Sequence, residues 1–476
     1  MARAGKEPVE AHHGDLPILS FTGGTLLLEG MPREAMRVLD PEPWVWDRRV
    51  GARRCDAIEY AAVTRQLAEA GFPIDDRVPE WRPVRWPRVD LHHPWPEQKA
   101  AVEAWTAVNR ACIVMPTGTG KTEVALAIMA QTAVSTLVVA PVRDLMYQWH
   151  RRILGRLGYD AGIIGDNVFR VRPVSVTTYD SACIHMEKFG NRFGLIVFDE
   201  CHHLPGPIRR DAARMSAAPM RLGLTATPER SDGRHTDLDQ LIGPVAYEMP
   251  ISAAKGQTLA DYEVVRIPVH LSGEEQARYE MLSHQVRQYM TERRKDDPSY
   301  TWEDLCAETG KTPEARRAMK AFFAKRAIED RAEEKLRVLE DLFRLHAHEP
   351  SIVFAGSNAM ARDVSRRFLI PCLLSHCRKK ERLEILQGLE EGVYSALVAN
   401  RVLDEGVDLP EVKVAIVLGG MASSRQAKQR LGRVLRKSGN AKAVLYEVVS
   451  AGTGDEKRSR RRRKSDAYQG TRHRRT

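Results

Sequence analysis

The chain has 476 residues, of which 43% are hydrophobic, and its formal net charge is +10. This length allows three or four domains. No unbroken run of about 18 apolar residues predicts a membrane span, and the first residues lack the apolar stretch of a secretion signal, so we expect a cytoplasmic protein with no membrane partner. The seven cysteines are scattered without a CxxC pair, which favours reduced thiols over a metal cluster.

Residues 1–90 are predicted to form a small α+β domain. GGTLLLEG indicates a strand and RCDAIEYAAVTRQLAEAG indicates a helix. Five of the eight tryptophans lie within the first 95 residues, interleaved with arginines. They could stack on nucleic-acid bases, or they could be buried beside surface arginines, and the sequence leaves both interpretations open.

Short β-branched runs alternate with helix-length segments in two parts of the chain. ACIVMP, TLVVAP, VSVTTY, LIVFDE and RLGLTAT lie within 91–255, and SIVFAG, CLLSH, YSALVAN, VAIVLGG and AVLYEVV lie within 331–452. This alternation is typical of a parallel sheet with helical crossovers, so two α/β lobes are predicted. Residues 274–330 break the pattern and are predicted to form a helical insertion between the lobes.

The final segment, 453–476, is predicted to be a basic disordered tail. Residues 455–476 hold ten Lys or Arg and three acidic residues, a formal charge of +7. A tail of this composition favours a polyanionic partner, although a solvated tail without a partner has the same composition.

MPTGTGKTEVA follows an apolar strand and opens a helix, which is the context of a phosphate-binding loop. Backbone N–H groups around Gly118 and Gly120 can surround phosphate oxygens, Lys121 can reach the β and γ phosphates, and Thr122 can bind Mg²⁺. Met115 stands where the strict GxxxxGKT motif has its first glycine. The predicted nucleotide-binding residues of this loop are Pro116, Thr117, Gly118, Thr119, Gly120, Lys121 and Thr122.

A second apolar strand, LIVFDE, ends in two carboxylates. Asp199 is predicted to hold Mg²⁺ through water, and Glu200 is predicted to polarise the attacking water and to lie near the metal. Acidic pairs at strand ends are common. Within one α/β lobe that also holds a phosphate loop, this pair indicates an ATPase site that uses ATP and Mg²⁺.

The ordered segments MPTGTGKT, VVAPVRDLMYQW, VTTYDSA, DECHHL, LGLTATPER, VLDEGVDLP and QRLGRVLR resemble the motifs of superfamily 2 helicases. LGLTATPERSDGRH, GTLLLEG and the closing LYEVVSAGTGDEKRSRRRRK resemble, more narrowly, the short archaeal and bacterial form of the xeroderma pigmentosum group B (XPB) helicase family. The resemblance covers about residues 20–465. It implies an α/β fold of two RecA-like parallel-sheet lobes, a small N-terminal α+β domain and a helical thumb-like insertion.

The resemblance also implies further nucleotide contacts. Gln98 matches the glutamine that reads adenine, but Trp95 and Glu97 replace the arginine and tyrosine that usually precede it. Gly406 and Asp408 match the second-lobe motif that touches the nucleotide. The arginine-finger motif, which stabilises the transferring phosphoryl group as the lobes close, is matched by Gln429, Arg433 and Arg436.

Other matches concern DNA and its coupling to hydrolysis. Thr225 and Thr227 match the motif that couples hydrolysis to lobe closure, and His202 is assigned to the same group. Arg230, Ser231 and Asp232 are the counterpart of an Arg-Glu-Asp element near the strand junction, and Ser231 removes its central carboxylate. The residues that match positions along a nucleic-acid backbone are Arg143, Thr178, Tyr179 and Asn400.

These matches predict an ATP-dependent 3′–5′ DNA helicase or duplex translocase that acts in repair on duplex, forked or damaged DNA. Short members of the family are associated with a separate partner nuclease. The shared motifs leave open an RNA helicase or a translocase subunit of a restriction system. A further alternative is an ATP-gated DNA clamp that recruits a nuclease.

Overall fold

In the described part of the chain, apolar strands form three β-sheets. In some strands all the side chains are buried, and in others buried residues stand beside partly buried ones. The computed structural model describes residues 16–32, 35–228, 233–249, 262–374, 376–400, 412–419 and 443–462. The chain divides into two compact units: Met1–Met115 with Gly120–Met249, and Pro116–Thr119 with Pro250–Thr476. Among the described residues no helix has the length and apolar character needed to cross a membrane.

The N-terminal sheet has the strand order β3-β4-β2-β1-β5, and helix α1 (Tyr60–Glu69) follows β4. Its hydrophobic core includes Leu26, Leu28, Trp44 and Leu67. The predicted helix begins later than expected because residues 53–56 pair antiparallel with β2 and extend the sheet. The strands are β1 (Ile18–Thr22), β2 (Thr25–Glu29), β3 (Val45–Asp47), β4 (Ala52–Asp56) and β5 (Asp75–Asp76).

The five apolar runs predicted within 91–255 all form strands of one eight-stranded sheet, ordered β13-β6-β12-β11-β7-β10-β8-β9. Neighbouring strands are parallel except the β8–β9 hairpin at one edge. The central strands are buried on both faces, as parallel sheets require. The strands are β6 (Arg110–Val114), β7 (Thr136–Ala140), β8 (Gly162–Gly165), β9 (Val168–Phe169), β10 (Val174–Thr178), β11 (Leu195–Asp199), β12 (Met220–Thr225) and β13 (Val245–Glu248).

Helices connect these strands and cover the sheet. The connection from β6 to the first crossover helix is the predicted phosphate loop, and the carboxyl end of β11 carries the predicted acidic pair. Parallel strands therefore present their carboxyl ends, with the chemistry-bearing residues, at one edge of the sheet. The helices are α2 (Pro96–Thr106), α3 (Lys121–Thr132), α4 (Arg143–Leu157), α5 (Tyr179–His185), α6 (Asp211–Arg214) and α7 (Asp237–Leu241).

Arg221 is a fully buried cation in β12 whose guanidinium donates to four backbone carbonyls. These carbonyls belong to Ala213, Ser216, Ala218 and Leu241, so one side chain ties two buried segments to the sheet. Replacing Arg221 with Met should destabilise the protein by about 2–4 kcal/mol, because the four carbonyls lose their donor while only one buried charge is relieved.

The melting temperature of Arg221→Met measures this loss. Arg214→Met is the matched control, because Arg214 is partly exposed and pairs with Asp56, and it should cost less than about 1 kcal/mol. Equal melting temperatures for the two variants would contradict the structural role of Arg221.

The second unit has an all-parallel six-stranded sheet, ordered β14-β19-β18-β15-β17-β16. β14 lies before the helical insertion in the chain, yet it pairs along its whole length with β19. The insertion was predicted to lie between the lobes, but it interrupts the second lobe. The strands are β14 (Tyr262–Val269), β15 (Ser351–Phe354), β16 (Cys372–Leu373), β17 (Ala396–Ala399), β18 (Val414–Val417) and β19 (Ala443–Ser450).

The insertion contains three helices, and their first residues are well capped. The side chains of Ser272, Thr301 and Thr312 each accept a hydrogen bond from the backbone N–H three residues ahead. The helices of the insertion are α8 (Gly273–Asp296), α9 (Trp302–Glu308) and α10 (Pro313–Arg331). Among its described residues, the unit has four further helices: α11 (Glu333–Leu345), α12 (Asn358–Phe368), α13 (Lys379–Glu390) and α14 (Gly454–Arg462).

Helix α14 corrects the prediction that residues 453–476 form a disordered tail. The first part of that segment is helical, and Asp455 and Ser459 are buried. Charge composition alone predicted disorder, but these polar groups have buried partners, since Ser459 donates to Glu447 and Asp455 pairs with Lys335. Residues 463–476 lie outside the described residues.

Candidate nucleotide and nucleic-acid site

The phosphate loop joins β6 to α3 through residues 116–120. Gly120 has a left-handed backbone (φ +80°), which favours glycine, and a Cβ there would force the Gln98 side-chain amide to move. Lys121 donates to the carbonyl of Met115, 3.0 Å away. The Thr119 hydroxyl donates a hydrogen bond to the Pro116 carbonyl. The loop therefore places Lys121 at the start of α3, where backbone N–H groups are suited to an anion.

Gln98, the predicted adenine reader, is buried against this loop. Its side-chain oxygen accepts a hydrogen bond from the N–H of Trp95 and so caps α2. Trp95 itself is exposed. Gln98 therefore lies beside Gly120, and the Trp95 ring is exposed at the N-terminal end of α2.

The acidic pair lies at the carboxyl end of β11. Asp199 Oδ2 accepts a hydrogen bond from Trp149 Nε1 at 2.8 Å, and the Asp199 carbonyl accepts one from the Tyr179 hydroxyl at 3.0 Å. Burial, and next the charge of Glu200, raise the pKa of Asp199 to about 6, while Trp149 and the charge of Lys121 act to lower it. Asp199 is therefore a partly buried carboxylate whose Oδ2 is oriented by Trp149.

Glu200 directly follows β11. Its backbone lies in the left-handed region (φ +48°), which is strained for a residue with a side chain. Glu200 Oε2 lies 3.5 Å from His202 Nδ1, and His202 Nδ1 lies 3.0 Å from the Thr225 hydroxyl. That hydroxyl donates to the Thr227 carbonyl and accepts from the Thr227 N–H. The Thr225 hydroxyl thus lies between His202 Nδ1 and the backbone of Thr227.

The side-chain oxygen atoms at this edge of the sheet are suited to bind a hard divalent cation. Asp199, Glu200 and Thr122 offer oxygen atoms, which Mg²⁺ prefers. Glu200 Oε2 is buried and accepts no hydrogen bond by geometric criteria within the described part of the chain. These features fit Mg²⁺ bound together with a nucleotide phosphate.

The predicted nucleic-acid contacts have different environments. Arg143 is exposed at the start of α4, and its guanidinium pairs with Asp166 at 2.6 Å. Thr178 is buried and caps α5 by accepting from the Ser181 N–H. Asn400 follows β17 in the second unit, and its amide donates to Asn358.

Tyr179 corrects a prediction. It was assigned to the nucleic-acid backbone, but its side chain is fully buried and its hydroxyl bonds Asp199. Burial excludes a side-chain contact with DNA in this conformation. Tyr179 instead supports the acidic pair from inside the lobe.

Several predicted residues lie outside the described residues. They are Arg230, Ser231 and Asp232 of the junction element, Gly406 and Asp408 of the nucleotide motif, and Gln429, Arg433 and Arg436 of the arginine-finger motif.

Two contacts at the site were not predicted from the sequence. Trp149 orients Asp199, and Asp166 holds Arg143 and also accepts from the Tyr147 hydroxyl. Trp149 stands within the quoted segment VVAPVRDLMYQW, and its position on the inward face of α4 was the available signal. Asp166 sits in a tight turn with a left-handed backbone, and nothing in its local sequence indicated an arginine partner.

Family models match three parts of this chain. Residues 19–78 match the damage recognition domain of the xeroderma pigmentosum group B helicase. Residues 91–230 match the res subunit of type III restriction enzymes, and residues 334–438 match the helicase conserved C-terminal domain. The order of these matches is that of a two-lobed helicase with an N-terminal recognition domain.

Whole-chain similarities agree. The helicase domain of Hef from Pyrococcus furiosus aligns with a TM-score of 0.53 at 17% identity, over 76% of this chain and 97% of that one, and confirms the predicted two-lobe RecA-like α/β fold. The chain is 32% identical to DNA 3′-5′ helicase XPB of Kineococcus radiotolerans, over 79% of this chain and 63% of that protein. It is 38% identical to DNA 3′-5′ translocase XPB2 of Sulfurisphaera tokodaii, over 88% of this chain and 95% of that protein. The chain therefore belongs to the XPB family of superfamily 2 helicases.

Proposed function

We propose that this chain is an ATP-dependent 3′–5′ DNA helicase or duplex DNA translocase that acts in DNA repair. The observation that carries the proposal is the connection from Glu200 through His202 to Thr225 and Thr227. This connection links Glu200, whose carboxylate is suited to activating water, with Thr225 and Thr227, whose segment is suited to sensing hydrolysis. Family membership supports DNA as the track and 3′–5′ as the direction, since the relatives above are named for both.

The phosphate loop, residues 116–122, would bind the phosphates of ATP, and Gln98 would contact the adenine. Lys121 would neutralise the β and γ phosphates, and Glu200 would orient the attacking water. In the second unit, Gly406 and Asp408 would contact the nucleotide. Gln429, Arg433 and Arg436 would stabilise charge on the transferring phosphoryl group.

Thr122 and Asp199, with Glu200 beside them, would hold Mg²⁺ with the nucleotide. When bound, the ion supplies positive charge that offsets the phosphate oxygens. Trp149 would orient the carboxylate of Asp199, and Tyr179 bonds the backbone carbonyl of the same residue.

DNA would lie along Arg143 and Asn400, with Arg230 and Asp232 at the strand junction, whereas the buried Thr178 would act by capping α5. His202, Thr225 and Thr227 would act in coupling rather than in contact with DNA, because all three side chains are buried. We also propose that the chain acts with a separate partner nuclease and associates with the nucleoid.

ATP hydrolysis measured with single-stranded DNA, duplex DNA, forked DNA and RNA tests the proposal. Stimulation by DNA well above that by RNA is expected. A preference for RNA would favour an RNA helicase, and turnover without stimulation by any nucleic acid would refute a nucleic-acid motor.

Trp149→Phe should lower kcat by about 10-fold, because the phenyl ring keeps the packing but leaves Asp199 Oδ2 without its donor. Steady-state ATP hydrolysis over a range of Mg²⁺ concentrations measures the effect, and a higher Mg²⁺ requirement is expected. Trp105→Phe is the matched control, since the buried Trp105 donates to the Arg221 carbonyl. Equal kcat values for the two variants would show that Trp149 does not orient Asp199.

A further inference from the structure

The five tryptophans within the first 95 residues have different surroundings in the structure. Three pack against neighbouring side chains: Trp44 and Trp81 contact the core of the N-terminal sheet, and Trp86 meets a tyrosine ring edge-on. Trp46 and Trp95 are exposed, with 55% and 44% of their surface accessible. These two rings are therefore available to stack on a ligand, and the residues beside each ring indicate which ligand that is.

Trp95 is held on a rigid backbone. Pro94 and Pro96 flank it, and a proline fixes its own φ and restricts the preceding residue to extended conformations. The Trp95 backbone is extended, with φ −65° and ψ 157°. Its N–H donates to Gln98 Oε1 at 3.0 Å, which caps α2. The position from which the indole projects is therefore fixed before a ligand binds, which lowers the entropy cost of stacking.

Gln98 connects Trp95 to the phosphate loop. The Gln98 side chain is buried and lies against Gly120, since a Cβ on Gly120 would force the Gln98 amide to move. Lys121, which is suited to hold phosphates, is the next residue. A nucleotide with its phosphates in the loop and the edge of its base at Gln98 would thus have the face of the base near the Trp95 ring.

The two departures from the family motif, Trp95 and Glu97, have different surroundings. Helix α2 packs against β13, where Glu97 lies close to Tyr247: burial, and next the charge of Glu97, raise the pKa of the Tyr247 hydroxyl. A carboxylate cannot stack on a base, so Trp95 alone among the three residues before Gln98 offers an aromatic face. The position that holds arginine in the family therefore holds a stacking side chain here.

We propose that the Trp95 indole stacks on the base of the bound nucleotide and supplies affinity that does not depend on which base is present. An aromatic face stacks on any base, whereas a glutamine amide can pair with N6 and N7 of adenine. Trp95 therefore holds the base, and selectivity for adenine is left to Gln98. This proposal rests on the proposed function and adds a residue that binds the nucleotide.

The chain offers variants that separate stacking from folding. Trp95→Ala removes the ring but keeps the backbone N–H that caps α2. Trp95→Phe keeps a smaller aromatic face, and Trp95→Leu keeps apolar volume without an aromatic face. Trp46→Ala is the matched control, because Trp46 is an exposed tryptophan of the same unit and lies on β3 of the N-terminal sheet.

Displacement of a ribose-labelled fluorescent ADP from the full-length protein by ADP, GDP and tripolyphosphate measures the contribution of the base. For Trp95→Ala we expect the affinities for ADP and GDP to fall by about 10-fold each, within the range found when a stacked aromatic side chain is replaced by alanine. Tripolyphosphate has no base, so its affinity should stay within about twofold of wild type. Trp95→Leu should resemble Trp95→Ala, whereas Trp95→Phe should keep most of the affinity.

Steady-state ATP hydrolysis gives a second readout. Trp95→Ala should raise the KM for ATP by about 10-fold while kcat at saturating ATP stays within about twofold of wild type, because stacking holds the base equally in the ground state and the transition state. Trp46→Ala should leave both quantities unchanged. Melting temperatures show that the variants are folded.

Two results would overturn the proposal. One is a folded Trp95→Ala protein that binds ADP as tightly as Trp46→Ala does. The other is an equal loss of affinity for ADP and for tripolyphosphate, which would show that the substitution disturbs the phosphate loop instead of a base contact. If Trp95→Ala does not fold, Trp95→Leu decides alone. Failure of the wild-type protein to bind any of these ligands would instead refute the proposed function itself.

Discussion

Glu200→Gln is expected to lower kcat by about 10² to 10⁴ while leaving ATP binding nearly intact, because a neutral amide cannot accept a proton from the attacking water. Glu200 is suited to this role because its strained backbone and its contact with His202 fix the direction of the carboxylate. The glutamine keeps the shape of the side chain, so the loss reports on the charge.

Single-turnover hydrolysis and equilibrium binding of a fluorescent ATP analogue measure the two effects separately. Lys121→Ala provides the contrast, since removing the ammonium group should weaken nucleotide binding and also abolish turnover. Near wild-type turnover by Glu200→Gln would show that another group activates the water.

Arg436→Ala, and separately Arg433→Ala, should lower kcat by about 10³ or more, the range found when a guanidinium on the transferring phosphoryl group is removed. These arginines are assigned by the resemblance of QRLGRVLR to the arginine-finger motif. They would act mainly in the transition state, so ATP affinity should change by no more than about threefold. DNA-saturated kcat and the KM for ATP are the quantities to measure.

Lys437→Ala is a suitable control for this pair, because it removes a neighbouring cation that the motif does not assign to the nucleotide. Normal DNA-stimulated turnover by both arginine variants would exclude the finger. A loss shared equally by Lys437→Ala would indicate a general effect of positive charge.

The sequence predicted the sheets of both lobes well because each central strand is a short, mostly apolar run with a more polar crossover after it. It also predicted the phosphate loop and the acidic pair, because the residues that form each of them are contiguous in the sequence. The β14 strand was missed because its partner, β19, lies far away in the chain, and only the folded sheet shows that the insertion interrupts the second lobe.

Charge composition was the least reliable predictor of local structure. The segment around Asp455 and Arg458 resembles a solvated basic tail in composition, yet its partners Glu329 and Lys335 lie more than a hundred residues earlier. Tyr179 was misassigned in a similar way. A sequence motif identifies the segment, whereas the burial of the Tyr179 ring determines whether that side chain can reach DNA.

The central claim is that ATP hydrolysis drives movement along DNA in the 3′–5′ direction. Displacement of streptavidin from a biotin at either end of a single-stranded oligonucleotide tests it most directly, with Glu200→Gln as the control without turnover. We predict ATP-dependent displacement from the 5′ end, with little from the 3′ end and none by Glu200→Gln. Displacement mainly from the 3′ end, or DNA-stimulated hydrolysis without displacement from either end, would contradict the claim.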